Sequence, residues 1–224
     1  MSPKPALVHL SDDALPAPLF ARVRKAVVGL GEQRLRATYQ TTFWFDFTAP
    51  ASNVIEEAIV VLRARAPGKP AGAEWWLSRM RTSNVQVDFH RDRDERLALS
   101  GGPQVHPAIS SVLFLNTCRG GLLAVTREPP NPRNPAMAPD TLALDLVQPL
   151  PNRYVWFDGR LTHGVLDANN QLPGQRLRRE ARLRLTIAIN FWKRRPTGIP
   201  RFADRRIYAQ LASLPAALAV KGSP

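Results

Sequence analysis

Residues 152–167 read NRYVWFDGRLTHGVLD. Two short runs rich in β-branched and aromatic residues, 152–158 and 162–167, flank a turn at Gly159, and such runs read as strands. Similar runs stand at 80–89 (MRTSNVQVDF), 108–116 (AISSVLFLN), 121–126 (GLLAVT), 141–147 (TLALDLV) and 182–192 (RLRLTIAINFW). Short strands at this spacing predict an all-β sandwich or barrel over residues 75–192. The connection 127–140 carries five prolines and no periodicity, which marks it as a functional rim or a disordered segment.

Upstream the pattern changes. Residues 1–17 are proline-rich and are expected to be loosely held. Leu19 to Leu30 has apolar positions at helical spacing and ends at Gly31, a C-cap signal. Thr38 to Phe47 reads as a strand, and Asn53 caps a predicted helix to about Arg65, with Glu56 as the return half of a capping box. The tail, 203–220, is again helical in pattern. With no repeat and no clear boundary, the expectation is one domain over 1–224, in which 1–74 supports a core at 75–192.

Composition narrows the class. The chain of 224 residues is 44% hydrophobic and 22% charged, which excludes a wholly disordered or fibrous protein. It has no apolar run of the ~18–20 residues that a membrane span needs. The single cysteine, Cys118, excludes an internal disulfide and a cysteine-rich zinc site. With no apolar leader after Met1, the expected location is cytoplasmic. The formal charge of +13 rests on 31 Lys and Arg against 18 Asp and Glu. Arginine is spread along the chain without the interleaved aromatics of single-strand binders, so the charge reads as composition more than as a nucleic-acid footprint.

The chemistry is carried by Asp88-Phe89-His90-Arg91-Asp92. At a strand end the spacing of two puts His90 and Asp92 on one face. With His163 they make two imidazoles and one carboxylate, the facial set that holds non-haem Fe(II) and leaves positions open for a bidentate co-substrate and O₂. Alone, the pair His90 and Asp92 is a weak signal. Its company strengthens it: an arginine on the strand 182–192 would make a bidentate pair with a carboxylate, as fixing 2-oxoglutarate requires.

Residues 84–192 resemble the catalytic core of the Fe(II)/2-oxoglutarate-dependent dioxygenases, in particular the branch that includes prolyl hydroxylases. Four blocks carry the resemblance: His90-Arg91-Asp92; Ser111 to Asn116 followed by Gly120-Gly121; Pro151 to Gly159 running into His163-Gly164-Val165; and Arg182 to Trp192. It implies a mainly β fold, a double-stranded β-helix (jelly-roll, cupin-like), with flanking N-terminal helices and a C-terminal helix. It implies His90, Asp92 and His163 as ligands of Fe(II), and 2-oxoglutarate and O₂ as co-substrates. Decarboxylation to succinate and CO₂ would be coupled to hydroxylation of a C–H bond in an amino acid, a peptidyl residue or a small natural product.

Arg182, four before Thr186, is the expected clamp for the distal carboxylate of 2-oxoglutarate. Arg184 shares its face and is the alternative. A serine is frequent two after the family arginine; after Arg182 that position is Arg184. Phe114 stands where the family often has a tyrosine, so one hydroxyl donor to 2-oxoglutarate is missing. Asp92 speaks against halogenation, which needs a small residue there.

Asn84, Gln86, Asp88, His106 and Asn190 are weaker candidates for substrate contact. Trp75-Trp76 reads as core more than as pocket floor, and Cys118 as incidental. The surplus arginine tilts the expected substrate towards an anionic one. The alternatives are a nucleic-acid dealkylating dioxygenase of the AlkB-like kind, which typically has a second arginine where Arg182 plus six gives Ala188, and a non-catalytic jelly-roll binding module.

Overall fold

The computed structural model describes residues 6–37, 41–81, 88–133, 144–166, 183–205, 207–208 and 211. Among these residues nine strands form two antiparallel sheets. The larger contains β1 (Val8–Ser11), β2 (Phe43–Asp46), β3 (Gly72–Arg81), β4 (Ile109–Phe114), β7 (Tyr154–Asp158) and β9 (Leu183–Trp192), in the order β1-β7-β4-β9-β3-β2. The smaller contains β5 (Leu123–Thr126), β6 (Asp145–Val147) and β8 (Thr162–Val165), in the order β6-β5-β8. The non-sequential order is that of a jelly roll, in which the chain crosses between sheets instead of running as a meander.

Alternation along β3 and β9 explains how one sheet serves both a core and a cavity. Leu185, Ile187, Ile189 and Phe191 of β9, with Ala73, Trp75 and Leu77 of β3, join the main apolar cluster. Helices α1 (Ala17–Gly29) and α3 (Val54–Arg63) cover that face through Val23, Val27, Ile55, Ala58, Ile59 and Leu62. Burying a side chain such as Leu or Ile is worth ~1.5–3 kcal/mol, so this face holds the sheet flat against its helices. The opposite residues, Glu74, Trp76, Ser78 and Met80 of β3 and Arg184, Thr186, Ala188 and Asn190 of β9, line a cavity between the sheets.

Several expected boundaries move. Residues 8–11, expected to be loose, form an edge strand paired with β7, and Leu7, Ala14 and Leu15 are buried; four residues between prolines are too few for periodicity to show. The strand expected at 80–89 begins at Gly72 and is described to Arg81, because Trp75 and Trp76 take opposite faces. The strand expected at Thr38 to Phe47 is confined, within the described residues, to Phe43–Asp46. The Asn53 cap is present: its Oδ1 accepts from Ile55 N at 2.9 Å and Glu56 N at 3.0 Å. The return half differs, since the Glu56 carboxylate accepts from the main-chain N–H of Ser52, at 2.6 Å, one residue before the cap. Helix α1 stops as expected before Gly31, whose φ of 77° only glycine adopts cheaply. Short helices α2 (Glu32–Ala37) and α4 (Glu95–Leu99) were not foreseen. The C-terminal helix expected at 203–220 lies almost wholly outside the described residues, where a 3₁₀ turn at Phe202–Asp204 is present. No described helix is long and apolar enough to cross a membrane.

Candidate metal centre

His90 lies outside the named strands yet is fixed to β8 by an isolated antiparallel bridge. His90 N donates to His163 O and His163 N to His90 O, each at 2.9 Å. Two candidate ligands 73 positions apart in sequence are thereby held side by side by main-chain bonds, with ring centroids 4.4 Å apart. Gly164 permits the close fit: a Cβ there would stand 3.0 Å from the buried Phe89 ring.

The second nitrogen of each ring is spoken for. His90 Nδ1 is 2.8 Å from Asp88 O and His163 Nδ1 is 3.2 Å from Leu161 O. A carbonyl only accepts, so each Nδ1 carries a proton, and in the neutral ring each Nε2 keeps its lone pair. Both Nε2 atoms face Asp92, at 3.6 Å from Oδ1 for His90 and 3.4 Å from Oδ2 for His163. One donor atom from each of the three residues lies within 4.8 Å of the others. Two neutral imidazoles and one carboxylate, each oriented by a further hydrogen bond, form a donor set suited to a divalent first-row ion such as Fe(II).

Asp92 is held from two sides. Ser110 Oγ donates to Asp92 Oδ2 at 2.8 Å, and His106 Nδ1 donates to Asp92 O at 2.6 Å. His106 is not among the residues that line the cavity, and its hydrogen bond supports the Asp92 main chain. Burial raises the Asp92 pKa, but the two imidazoles and Ser110 outweigh it and hold the carboxyl well below the usual range. Burial lowers the His163 pKa to about 4 despite Asp92. At His90, where 43% of the side chain is exposed, burial acts in the same direction, but the hydrogen bond and charge of Asp92 overcome it and the pKa is raised.

The cavity has a volume of about 730 Å³. Its floor is ordered by the register of β3 on β9: Glu74 faces Asn190, Trp76 faces Ala188, Ser78 faces Thr186 and Met80 faces Arg184. Arg184, only 3% exposed, donates Nε to Gly121 O at 2.9 Å and places its guanidinium carbon 5.1 Å from the Phe114 ring centroid. Gly120 and Gly121, with φ of 67° and 68°, turn the chain so that this carbonyl is presented. Thr186 Oγ1 lies 3.4 Å from Arg184 Nη1. The Arg184 end is thus one pole of the trough. The triad lies towards the other, since Ser110, the donor to Asp92, pairs in register with Asn190.

Asn190 and Asp88 line the cavity, as does Trp76, while Trp75 belongs to the core behind it. Phe114 is fully buried beneath Arg184. Arg182, Asn84 and Gln86 lie outside the described residues. Cys118 is buried with Sγ 3.4 Å from Gly120 O, away from the cavity wall. The sequence reading missed Glu74, Ser78 and Ser110. Glu74 was visible as a charge inside an apolar strand, but only a strand starting at Gly72 puts it in phase with the cavity.

No protein-family model matches the chain, and no curated protein matches it in sequence. Solved structures do match in shape. A prolyl-4-hydroxylase from Pseudomonas putida is 20% identical over 84% of this chain and 89% of its own, with a TM-score of 0.50. HygX from Streptomyces hygroscopicus, solved with nickel and 2-oxoglutarate, is 13% identical over 87% of this chain and 84% of its own, with a TM-score of 0.48. The first of these likenesses establishes a shared jelly-roll fold.

Proposed function

We propose that this chain is an Fe(II)/2-oxoglutarate-dependent oxygenase that hydroxylates a C–H bond in an amino acid, a peptidyl residue or another small molecule. The observation that carries this reading is the convergence of His90, Asp92 and His163 in a cavity whose other pole is the buried guanidinium of Arg184. When bound, ferrous iron with 2-oxoglutarate and O₂ supplies the oxidation: the keto acid loses CO₂ to give succinate, and one oxygen atom goes to the substrate.

The chain supplies position and electrostatics. His90, Asp92 and His163 would hold the metal on one side, leaving the side towards β9 open. Arg184 would seat the distal carboxylate of 2-oxoglutarate. The guanidinium is buried, and the low local dielectric strengthens its pairing with a carboxylate. Thr186, two after Arg184, supplies the hydroxyl that the resembled family places two after its arginine. This favours Arg184 over Arg182 as the clamp. Val112, Leu123 and Val165 line the space between and exclude water from it.

Arg91, Arg93 and Arg96 line the mouth. Glu95 pairs with Arg93 at 3.0 Å, and Arg91 Nε donates to Thr162 Oγ1 at 3.1 Å. These cations support an anionic group on the part of the substrate that stays near solvent. A nucleic-acid dealkylating role is less favoured, because the residue six after Arg184 is Asn190, not a second arginine.

The test is an anaerobic titration of the protein with Fe(II) and 2-oxoglutarate. The expected result is a weak visible charge-transfer band that needs both additions and is absent in Asp92→Ala. A protein that binds Fe(II) and shows no band with 2-oxoglutarate would contradict the reading.

A further inference from the structure

Among the described residues, Glu74 and Arg184 are the charged side chains that β3 and β9 turn towards the cavity, and they stand at opposite ends of it. Glu74 and Arg184 are six register positions apart, or ~20 Å of strand at ~3.3 Å per residue. If Arg184 takes 2-oxoglutarate, that co-substrate fills the trough from Arg184 to the metal. The Glu74 end then remains for the substrate.

Glu74 is poorly explained by the fold alone. Its side chain is nine-tenths buried, yet it faces the cavity and not the apolar cluster behind β3. Trp192 Nε1 donates to Oε2 at 3.1 Å, and Asn190 and Thr42 are its other polar neighbours. Among the described residues no Lys or Arg pairs with it, and it stands apart from the three-residue donor set. Burial of a carboxyl without a cation is costly, and a fold that needed only shape there would do better with an apolar side chain. Burial and the charge of Asp92 push its pKa up to about 8, as expected of a carboxyl that lacks a counter-cation. Trp76 follows on the same face and is half-buried, so an aromatic wall stands beside the acid.

Resting on the oxygenase reading, we infer that Glu74, flanked by Trp76 and Asn190, anchors a cationic nitrogen of the substrate at the end of the cavity that 2-oxoglutarate leaves free. A substrate with an ammonium group would give Glu74 a charge-assisted hydrogen bond and leave its reacting C–H near the metal. An amino acid fits that description, its carboxylate lying towards the arginines of the mouth.

The test uses the full chain loaded with Zn(II), which supports no turnover. 2-Oxoglutarate is titrated first; if it fails to bind in a metal-dependent way, the oxygenase reading falls and this inference with it. To the loaded protein the common free L-amino acids are then added by calorimetry, each against its N-acetyl derivative, which lacks the cationic nitrogen. The expected result is at least one amino acid that binds about tenfold or more tightly than its acetylated form, with Glu74→Gln reducing that ratio to about twofold or less. Because the ratio is taken within one sample, loss of folded or metal-loaded protein cancels. Metal-dependent 2-oxoglutarate binding with no such amino acid at about 10 mM, or a ratio that survives in Glu74→Gln, would overturn the assignment of Glu74 alone.

Discussion

The two ends of the cavity floor carry opposite charges on the same pair of strands and are built differently. At the Arg184 end the charge is permanent, and among its partners are a carbonyl, a hydroxyl and an aromatic face. At the Glu74 end the charge is conditional: burial and a neighbouring carboxylate favour the protonated acid, and an indole N–H is its closest partner. On the proposed reading, one end seats an anion at any pH, while the other becomes an anion when a cation arrives. The comparison teaches that a symmetric sheet register can yield an asymmetric site when only the partners differ.

The largest expected effect lies between the two ends. Asp92→Ala and His163→Ala each remove a metal ligand and should abolish succinate formation from 2-oxoglutarate in a coupled assay. Near-parental turnover in either would mean that the two poles flank something other than a metal. The next effect belongs to the Arg184 end. Arg184→Leu should raise the 2-oxoglutarate concentration for half-maximal turnover about 100-fold, the scale of a lost buried charge pair, and Arg182→Leu much less. The reverse ranking would assign the clamp to Arg182 instead of Arg184. Thr186→Val should cost only about 3–10-fold in the same measurement, the worth of one hydrogen bond.

The smallest effect tests the conditional charge of the Glu74 end through stability. The Glu74 pKa is raised in the folded state, so its contribution is fully present below the unfolded value near 4.5 and is lost as pH rises towards about 8. Each pKa unit corresponds to about 1.4 kcal/mol. In metal-free protein Glu74→Gln should therefore melt close to the parent at pH 5 and above it at pH 8.5. Parallel melting curves at both values would remove the asymmetry between the ends. His163 acts in the other direction. Its folded pKa of about 4 lies below the ordinary 6.5, so it adds stability above pH 6.5 that is lost as pH falls towards 4.

How legible these ends were in the sequence depended on period and distance. The later strands were readable because β4, β7, β8 and β9 are rich in β-branched and aromatic residues, and turn residues bound the shorter ones. The ligand pair His90 and Asp92 was readable because a spacing of two has a geometric meaning. Arg184 was seen but ranked second, since counting back from Thr186 cannot say that Arg184 reaches the cavity. That depends on the Gly121 carbonyl, 63 positions away in sequence. Glu74 was missed because an adjacent pair of tryptophans hides alternation: Trp75 packs under the helices and Trp76 faces the cavity. The bond that His106 makes was hidden for a related reason. Its partner is the main chain of Asp92, and main-chain partners leave no mark in a sequence.

The central claim, that three distant side chains share one ion, is tested most directly by titrating the metal-free protein with Mn(II) and counting sites by electron paramagnetic resonance. The account predicts one tight site per chain in the parent, and loss of that site in His90→Ala, Asp92→Ala and His163→Ala alike. Retention of parental affinity and stoichiometry in any one of the three variants would contradict it.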